Sequence, residues 1–245
     1  MPTKEGSMMM TRADGRKNED IRPITVRAGV LHRANGSALF SLGRTTAIAA
    51  VYGPRPLHPK HLQIPNKALL QTVYSMTPFS TTERVRPGPS RRSQEITKVV
   101  REALEPAVYV EEFPKATIDV YMDILQADAG TRTAAINAAS VALADAGIPM
   151  RDLVCAVAVG KIDGQYTVDL AGKEEELTEC DLPVAIMPRT GKVTLLQMDG
   201  DITTEDVVKI IKLARQACGK IYEMQKQALR DRWLPEAKAM EEAKG

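Results

Sequence analysis

Three short runs of this sequence carry residue types suited to handling phosphate. The first is Gly130-Thr131-Arg132. It follows a strand-like segment, ATIDVYMDIL (Ala116 to Leu125), and a small-residue turn, Asp128-Ala129-Gly130, and it opens an alanine-rich helix. A helix start leaves its first backbone N–H groups unspent, and together with the helix dipole these attract an anion. Gly130 lets backbone approach a ligand closely. Thr131 adds a hydroxyl, and Arg132 adds a planar fork that matches phosphate oxygens. The plain structural alternative is a glycine turn, a threonine N-cap and a solvated arginine.

The second run places Arg84, Arg86, Arg91 and Arg92 within nine residues. Such a patch can grip a phosphodiester backbone, although a solvated arginine-rich loop has the same composition. Arg91 and Arg92 fall at an expected helix start after Ser90. Cations there oppose the helix dipole, which favours a nearby anion. The third run is acidic: Glu174, Glu175, Glu176, Glu179 and Asp181. Most charge runs are solvated faces, and Glu174 and Glu176 are expected to have no role. Asp181 differs because it immediately precedes an apolar strand, LPVAIM, which fixes the direction of its carboxylate. With a second carboxylate upstream it can hold Mg²⁺ that retains several waters.

Together the three runs suit an attack of inorganic phosphate on the last phosphodiester of an RNA chain. Nucleophile and target are both anions. Two unit charges ~4 Å apart repel by about 4 kcal/mol at an effective dielectric of about 20. A Thr-Arg helix start for phosphate, an Arg-Arg pair for RNA and a carboxylate-held Mg²⁺ would cancel that repulsion. Asp181 can serve either as metal ligand or as the general acid on the leaving 3′ oxygen.

The elements that must position these groups are legible as alternating strands and helices. Strands are expected within Arg22–His32 and at Ser37–Leu42, Thr45–Tyr52, Lys67–Met76 and Ala116–Leu125, with Asn35-Gly36 as a hairpin turn. Gly53 to Pro65 holds four prolines and reads as a loop. A helix is expected from about Arg91 to Val108, with Ile96, Val99, Val100 and Leu104 on one face. Asp152–Ile162 and Gln165–Leu170 form a hairpin around Asp163-Gly164. Ala171 to Cys180 reads as an acidic loop, followed by strands Leu182–Met187 and Lys192–Gln197. Thr203 and Asp206 are spaced as a capping box for the last helix, whose buried stripe is Val207, Ile210, Ile211 and Ala214. The expected organisation is a mobile N-terminal tail (1–20), an N-terminal half (21–150), a C-terminal half (151–232) and a charged, fraying tail (233–245). The fold class is α+β, with helices packed on mixed sheets.

Totals exclude several function classes. Net charge is only +2, so any RNA site must come from local clustering. Aromatics make up 4% of the chain, too few for base recognition by rows of stacked rings. Cys155, Cys180 and Cys218 show no metal-ligand spacing and are odd in number, which argues against a disulfide framework and fits a reducing compartment. No stretch approaches the ~18 apolar residues of a membrane span. The expectation is a soluble, cytoplasmic protein.

The same runs resemble the motifs of the RNase PH family of phosphorolytic exoribonucleases. LQADAGTRTAAINAASVALADAG (Leu125 to Gly147) is similar to the family's phosphate-site motif, and RPGPSRRSQEITKVVREAL (Arg86 to Leu104) to its arginine motif. Further likeness lies in DGRKNEDIRPI (from Asp14), AVYGPRPLHPKHLQ (from Ala50), MTPFS (from Met76), AVAVGKIDGQ (from Ala156) and LLQMDG (from Leu195). The PFS and RPGPSRRS forms resemble the exosome branch more than the bacterial tRNA-trimming branch. The resemblance implies an RNase PH-like (ribosomal protein S5 domain 2-like) fold of two pseudo-repeated halves. It implies 3′-to-5′ phosphorolysis of single-stranded RNA with Mg²⁺, in a six-membered ring that alternates with a related inactive subunit beneath S1/KH-type cap subunits. By motif, Gly130, Thr131 and Arg132 would hold phosphate, Arg91 and Arg92 the RNA 3′ end, and Asp181 would be the catalytic carboxylate. Lys60 and His61 would lie near a constriction admitting single strands. Glu175 stands where the family usually has a second, metal-binding Asp, and Thr178 where it has Gly. The alternatives are a non-catalytic RNA-binding ring subunit and a homohexameric tRNA 3′-end trimming enzyme.

Overall fold

A computed structural model describes Arg12 and residues 14–172, 174–200 and 202–242, with the side chains of Glu176 and 236–242 left aside. The first half builds a sheet from β1 (Ile24–Ala28), β2 (Gly36–Leu42), β3 (Thr45–Pro56), β4 (Leu69–Met76) and β5 (Ala116–Gln126). Its order is β1-β2-β3-β5-β4. All neighbours are antiparallel except β4 and β5, whose parallel pairing requires a crossover. Helix α1 (Arg91–Leu104) lies in that crossover. Alternation sets the faces: Ile118, Val120, Met122 and Ile124 of β5 point inward, while Tyr121 and Asp123 point out.

Helix α2 (Thr131–Asp145) follows β5 directly and is the centre of the molecule. All of its fifteen residues except Arg132 and Ala144 are buried. A helix that is small and apolar all round can be covered on every side. Here the first sheet packs on one flank and the second sheet on the other. Two buried polar residues of α2 join the halves. Asn137 exchanges hydrogen bonds with the backbone of Ala156 at 2.8 and 3.0 Å, and Ser140 accepts from Val154 N–H at 2.8 Å.

The second sheet comprises β6 (Cys155–Ile162), β7 (Gln165–Val168), β8 (Cys180–Met187), β9 (Lys192–Leu196) and β10 (Asp199–Gly200). Strands run in the order β10-β8-β6-β7, with β9 also paired to β8. Helix α4 (Thr204–Glu242) closes the outer side of β6, burying Ile210, Ala214, Ala217, Cys218 and Ile221. The Thr203–Asp206 capping box forms in both directions.

The expected elements are present, with differences at their ends. Strand β3 runs through Gly53 to Pro56, a stretch expected to be loop. A register shift lets Arg55 and Pro56 pair with Thr117 and Ala116, and a bulged, peripheral strand end tolerates proline. Helix α1 stops at Leu104 rather than Val108 because Pro106 has no N–H to continue the helical ladder, and a 3₁₀ turn Glu105–Ala107 takes over. The acidic loop contains a short helix, α3 (Glu174–Leu177). Helix α4 continues through Pro235 to Glu242, where a fraying tail was expected. Of the expected mobile tail 1–20, Arg12 and residues 14–20 are anchored: Arg12 is buried and donates to the Val168 and Asp169 carbonyls at 2.8 and 2.7 Å. Residues 1–11 and 13, like 243–245, lie outside the described residues.

Candidate active site

The two helix starts of interest open on the same space. A cavity of about 670 Å³ is lined by Arg91 and Arg92 from the first turn of α1 and by Gly130, Thr131 and Arg132 from the start of α2. Asp181 of β8 and Glu175 of α3 line it too. Seven of the nine sequence-predicted site residues therefore share one cavity. Lys60 and His61 do not line it; they sit exposed on a 3₁₀ turn, Lys60–Leu62.

The α1 start is capped as its sequence predicts. Ser90 accepts from Ser93 N–H at 3.0 Å, and Ser93 Oγ accepts from Ser90 N–H at 2.7 Å. The cap leaves the exposed guanidinium groups of Arg91 and Arg92 free of a structural task in the turn. The α2 start is built differently. Its N-cap is Gly130, in the left-handed region at φ 67°, and no side chain caps it. This replaces the threonine N-cap of the structural alternative. The Gly130 carbonyl accepts from Thr133 Oγ1 at 2.8 Å and from Ala134 N–H at 3.1 Å. Thr131 is buried and accepts a hydrogen bond from Tyr74 at 3.0 Å, so its own O–H remains to be donated. An uncapped helix start with a donor hydroxyl beside it is an anion site.

Arg132 is half-buried. Its Nη2 lies 3.7 Å from Glu95 Oε1, and its buried Nε has no hydrogen-bond partner in the protein. Asp181 is in the same condition: its Oδ1 is buried and unpartnered. Burial first, then the negative charges of Glu175 and Asp199, push its carboxyl up to about 6, against the pull of Arg132. Buried polar atoms are normally paired, so an unspent donor and an unspent acceptor on one cavity point to a ligand that supplies the missing partners.

Three further lining residues, Asp199, Gln197 and Glu95, carry carboxylate or amide groups that the sequence did not single out. Asp199 stands directly across from Asp181 in the β8–β10 pairing. Gln197 donates to Glu95 Oε1 at 2.8 Å and leaves its own buried Oε1 unpartnered. Glu95 thus receives both Gln197 and Arg132. The segment LLQMDG was visible as a motif, but a two-residue strand has no periodicity by which to see which residue it faces. Glu174, expected to be idle, is instead buried and paired with Arg12, with Nη2–Oε2 at 2.6 Å.

The donor set is all oxygen. Among the described residues, no group of three His, Cys, Asp or Glu side chains is arranged to hold a metal. Mg²⁺ does not need one: it binds through one or two carboxylates plus substrate phosphates and water. The unpartnered Asp181 Oδ1 and the neighbouring Glu175 and Asp199 fit that mode.

Comparison with known proteins identifies the family. Residues 20–149 match the model of the 3′ exoribonuclease family, domain 1, and residues 152–217 match its domain 2. Exosome complex component Rrp41 of Pyrococcus horikoshii is 54% identical over 232 residues, covering 95% of this chain and 93% of that protein. Rrp41 of Methanopyrus kandleri is 53% identical over 222 residues, covering 91% and 93%. The crystal structure of rice Rrp46 has a TM-score of 0.81 at 26% identity, covering 89% of this chain and 100% of the rice chain. With both domain models matched in order along one chain, and relatives this similar along almost its full length, the protein belongs to the RNase PH family of 3′ exoribonucleases.

Proposed function

We propose that the protein is the catalytic subunit of an exosome ring and degrades single-stranded RNA from the 3′ end by phosphorolysis, releasing nucleoside diphosphates. The observation that carries this reading is one cavity whose wall holds Arg132 Nε and Asp181 Oδ1, both buried and unpartnered. The cavity offers an anion site at Gly130, Thr131 and Arg132, with Arg91 and Arg92 facing it.

Orthophosphate sits at the α2 start, and Arg91 and Arg92 hold the phosphates of the RNA 3′ end. A phosphate oxygen attacks the last phosphodiester. The bond to the 3′ oxygen of the penultimate nucleotide breaks, that oxygen takes a proton, and a nucleoside diphosphate leaves. Placing two anions together is the main electrostatic cost, and the three arginines offset it. Asp181 and Glu175 would hold Mg²⁺, which supplies further neutralisation of the phosphate oxygens. An Asp181 carboxyl that titrates near 6 keeps a protonated fraction close to neutrality, which also suits it to deliver the proton. Lys60 and His61 contact the RNA backbone on its approach. The ring alternates this subunit with a related inactive one, beneath S1/KH-type cap subunits, in the cytoplasm.

The test mixes the assembled ring with oligo(A) and Mg²⁺, with and without inorganic phosphate. Shortening of the RNA only with phosphate, abolished by Arg132→Ala while RNA binding survives, is the expected result. Equal shortening without phosphate would reject the reading.

A further inference from the structure

The Asp128-Ala129-Gly130 turn cannot hold its shape by itself. Ala129 and Gly130 are consecutive left-handed residues, at φ 62° and 67°, and alanine enters that region only under constraint. Two side chains from outside the turn supply the constraint. Arg22 Nη1 donates to the Asp128 carbonyl at 2.5 Å. Thr45 Oγ1 donates to the Ala129 carbonyl at 2.6 Å and accepts from Asp128 N–H at 3.0 Å. A trans peptide points its N–H opposite its carbonyl, so anchoring these two carbonyls also fixes the N–H groups of Ala129 and Gly130.

Arg22 is itself locked. Its Nε and Nη2 grip the two oxygens of Asp169 at 2.9 and 2.7 Å, and its backbone N–H donates to Asp169 Oδ2 at 2.8 Å. Both residues are buried. The fit is close, since a Cβ on Gly43 would come within 2.6 Å of Arg22 Cδ. Asp169 belongs to the second half of the chain and is shared with Arg16, at 3.2 Å. Arg12 bonds the Asp169 carbonyl and grips Glu174, the residue before Glu175. One buried network therefore ties the phosphate turn of the first half to the carboxylate-bearing α3 of the second. None of Arg12, Arg16, Arg22 or Asp169 lines the active cavity.

We propose that the Arg22–Asp169 pair is a positioning strut for the reaction: it holds the phosphate turn in its binding shape, with Thr45 as the second brace. A bidentate guanidinium–carboxylate pair fixes direction as well as distance. Buried pairs of this kind are weak contributors to net stability but strong determinants of geometry, and here the geometry fixed is that of the turn. The inference rests on the phosphorolytic reading.

The test measures kcat and KM for phosphate, RNA affinity without phosphate and melting temperature in the assembled ring. The variants are Arg22→Gln, Arg22→Lys and Thr45→Val, with Arg44→Ala, from the same side of the turn, as control. Arg22→Gln is expected to raise KM for phosphate about tenfold or more, with kcat at saturating phosphate and RNA affinity nearly unchanged. Thr45→Val, which keeps side-chain shape, raises it less, and carries the test should Arg22→Gln fail to fold. Arg22→Lys recovers part of the loss, and Arg44→Ala leaves all values unchanged. If folded Arg22 and Thr45 variants keep the wild-type KM for phosphate, the strut is wrong while the phosphorolytic reading stands. A parallel loss of melting temperature, RNA affinity and kcat would also overturn it, as a purely structural pair. A wild-type ring with no dependence on phosphate would overturn both.

Discussion

At the residue scale the account turns on Asp181. Its carboxyl is raised to about 6, with burial as the first cause. The native state therefore binds this proton more tightly than the unfolded chain does. Below the ordinary carboxylate range both states are protonated and nothing is lost. As pH rises through 6 the native protein must ionise a buried group, and stability falls. Asp181→Asn removes that cost. The variant is expected to be more stable than wild type at pH 7.5, by on the order of 2 kcal/mol, with the gain gone by about pH 4; thermal melts across pH check this. The same variant should have no measurable turnover. A wild-type kcat/KM profile should bend near pH 6, and the direction of the bend assigns the role. A fall above 6 marks the general acid; a rise marks a metal ligand. Glu175→Asp should keep or raise activity if the position holds the metal, measured as turnover against Mg²⁺ concentration. Arg132, Arg91 and Asp181 were legible because their charges sit at element starts, where chain direction limits where a side chain can go. Asp199, Glu95 and Gln197 were not, because nothing local to them signals that β10 and α1 meet at the cavity. Glu174 was misjudged for the same reason: its partner, Arg12, is far away in sequence.

At the element scale the decisive feature is α2. Its start presents the proposed anion site, and its body is the layer against which both sheets pack. The alanines that make it narrow also make it intolerant. Gly36 of β2 faces its C-terminal end so closely that an added Cβ would lie 2.2 Å from Ala146 N and 2.3 Å from Ala142 O. Both are backbone atoms and cannot rotate away. Gly36→Ala is expected to cost about 2–3 kcal/mol by denaturant unfolding, whereas Gly164→Ala, with nothing within 4 Å of the new Cβ, is limited to the strain of its φ of 75°. Element identities were legible from period-two and helical spacing, and from caps such as Ser90 and Thr203. Element ends were less so. Proline in Gly53–Pro56 reads as a breaker, yet a register shift keeps that stretch on the sheet. A four-residue helix such as α3 is too short to show any period.

At the scale of the molecule, two halves meet across α2 and the site forms only where they meet. The proposed phosphate turn and the arginines come from the first half, and Asp181, Glu175 and Asp199 from the second. This division was legible as two β-rich runs each with a late helix. The pairing of Arg22 with Asp169 across them was not, because an ion pair between residues so far apart leaves no local pattern. The ring reading predicts that the chain purified alone does not form a stable six-membered self-ring, which a mass measurement in solution checks; a self-ring would favour the tRNA-trimming alternative. The central claim is that orthophosphate itself becomes part of the product. Labelled inorganic phosphate supplied to the assembled ring with oligo(A) and Mg²⁺ tests it directly. The account predicts ADP carrying the label in its β-phosphoryl group and none in the Arg132→Ala ring; unlabelled AMP as the product would contradict it.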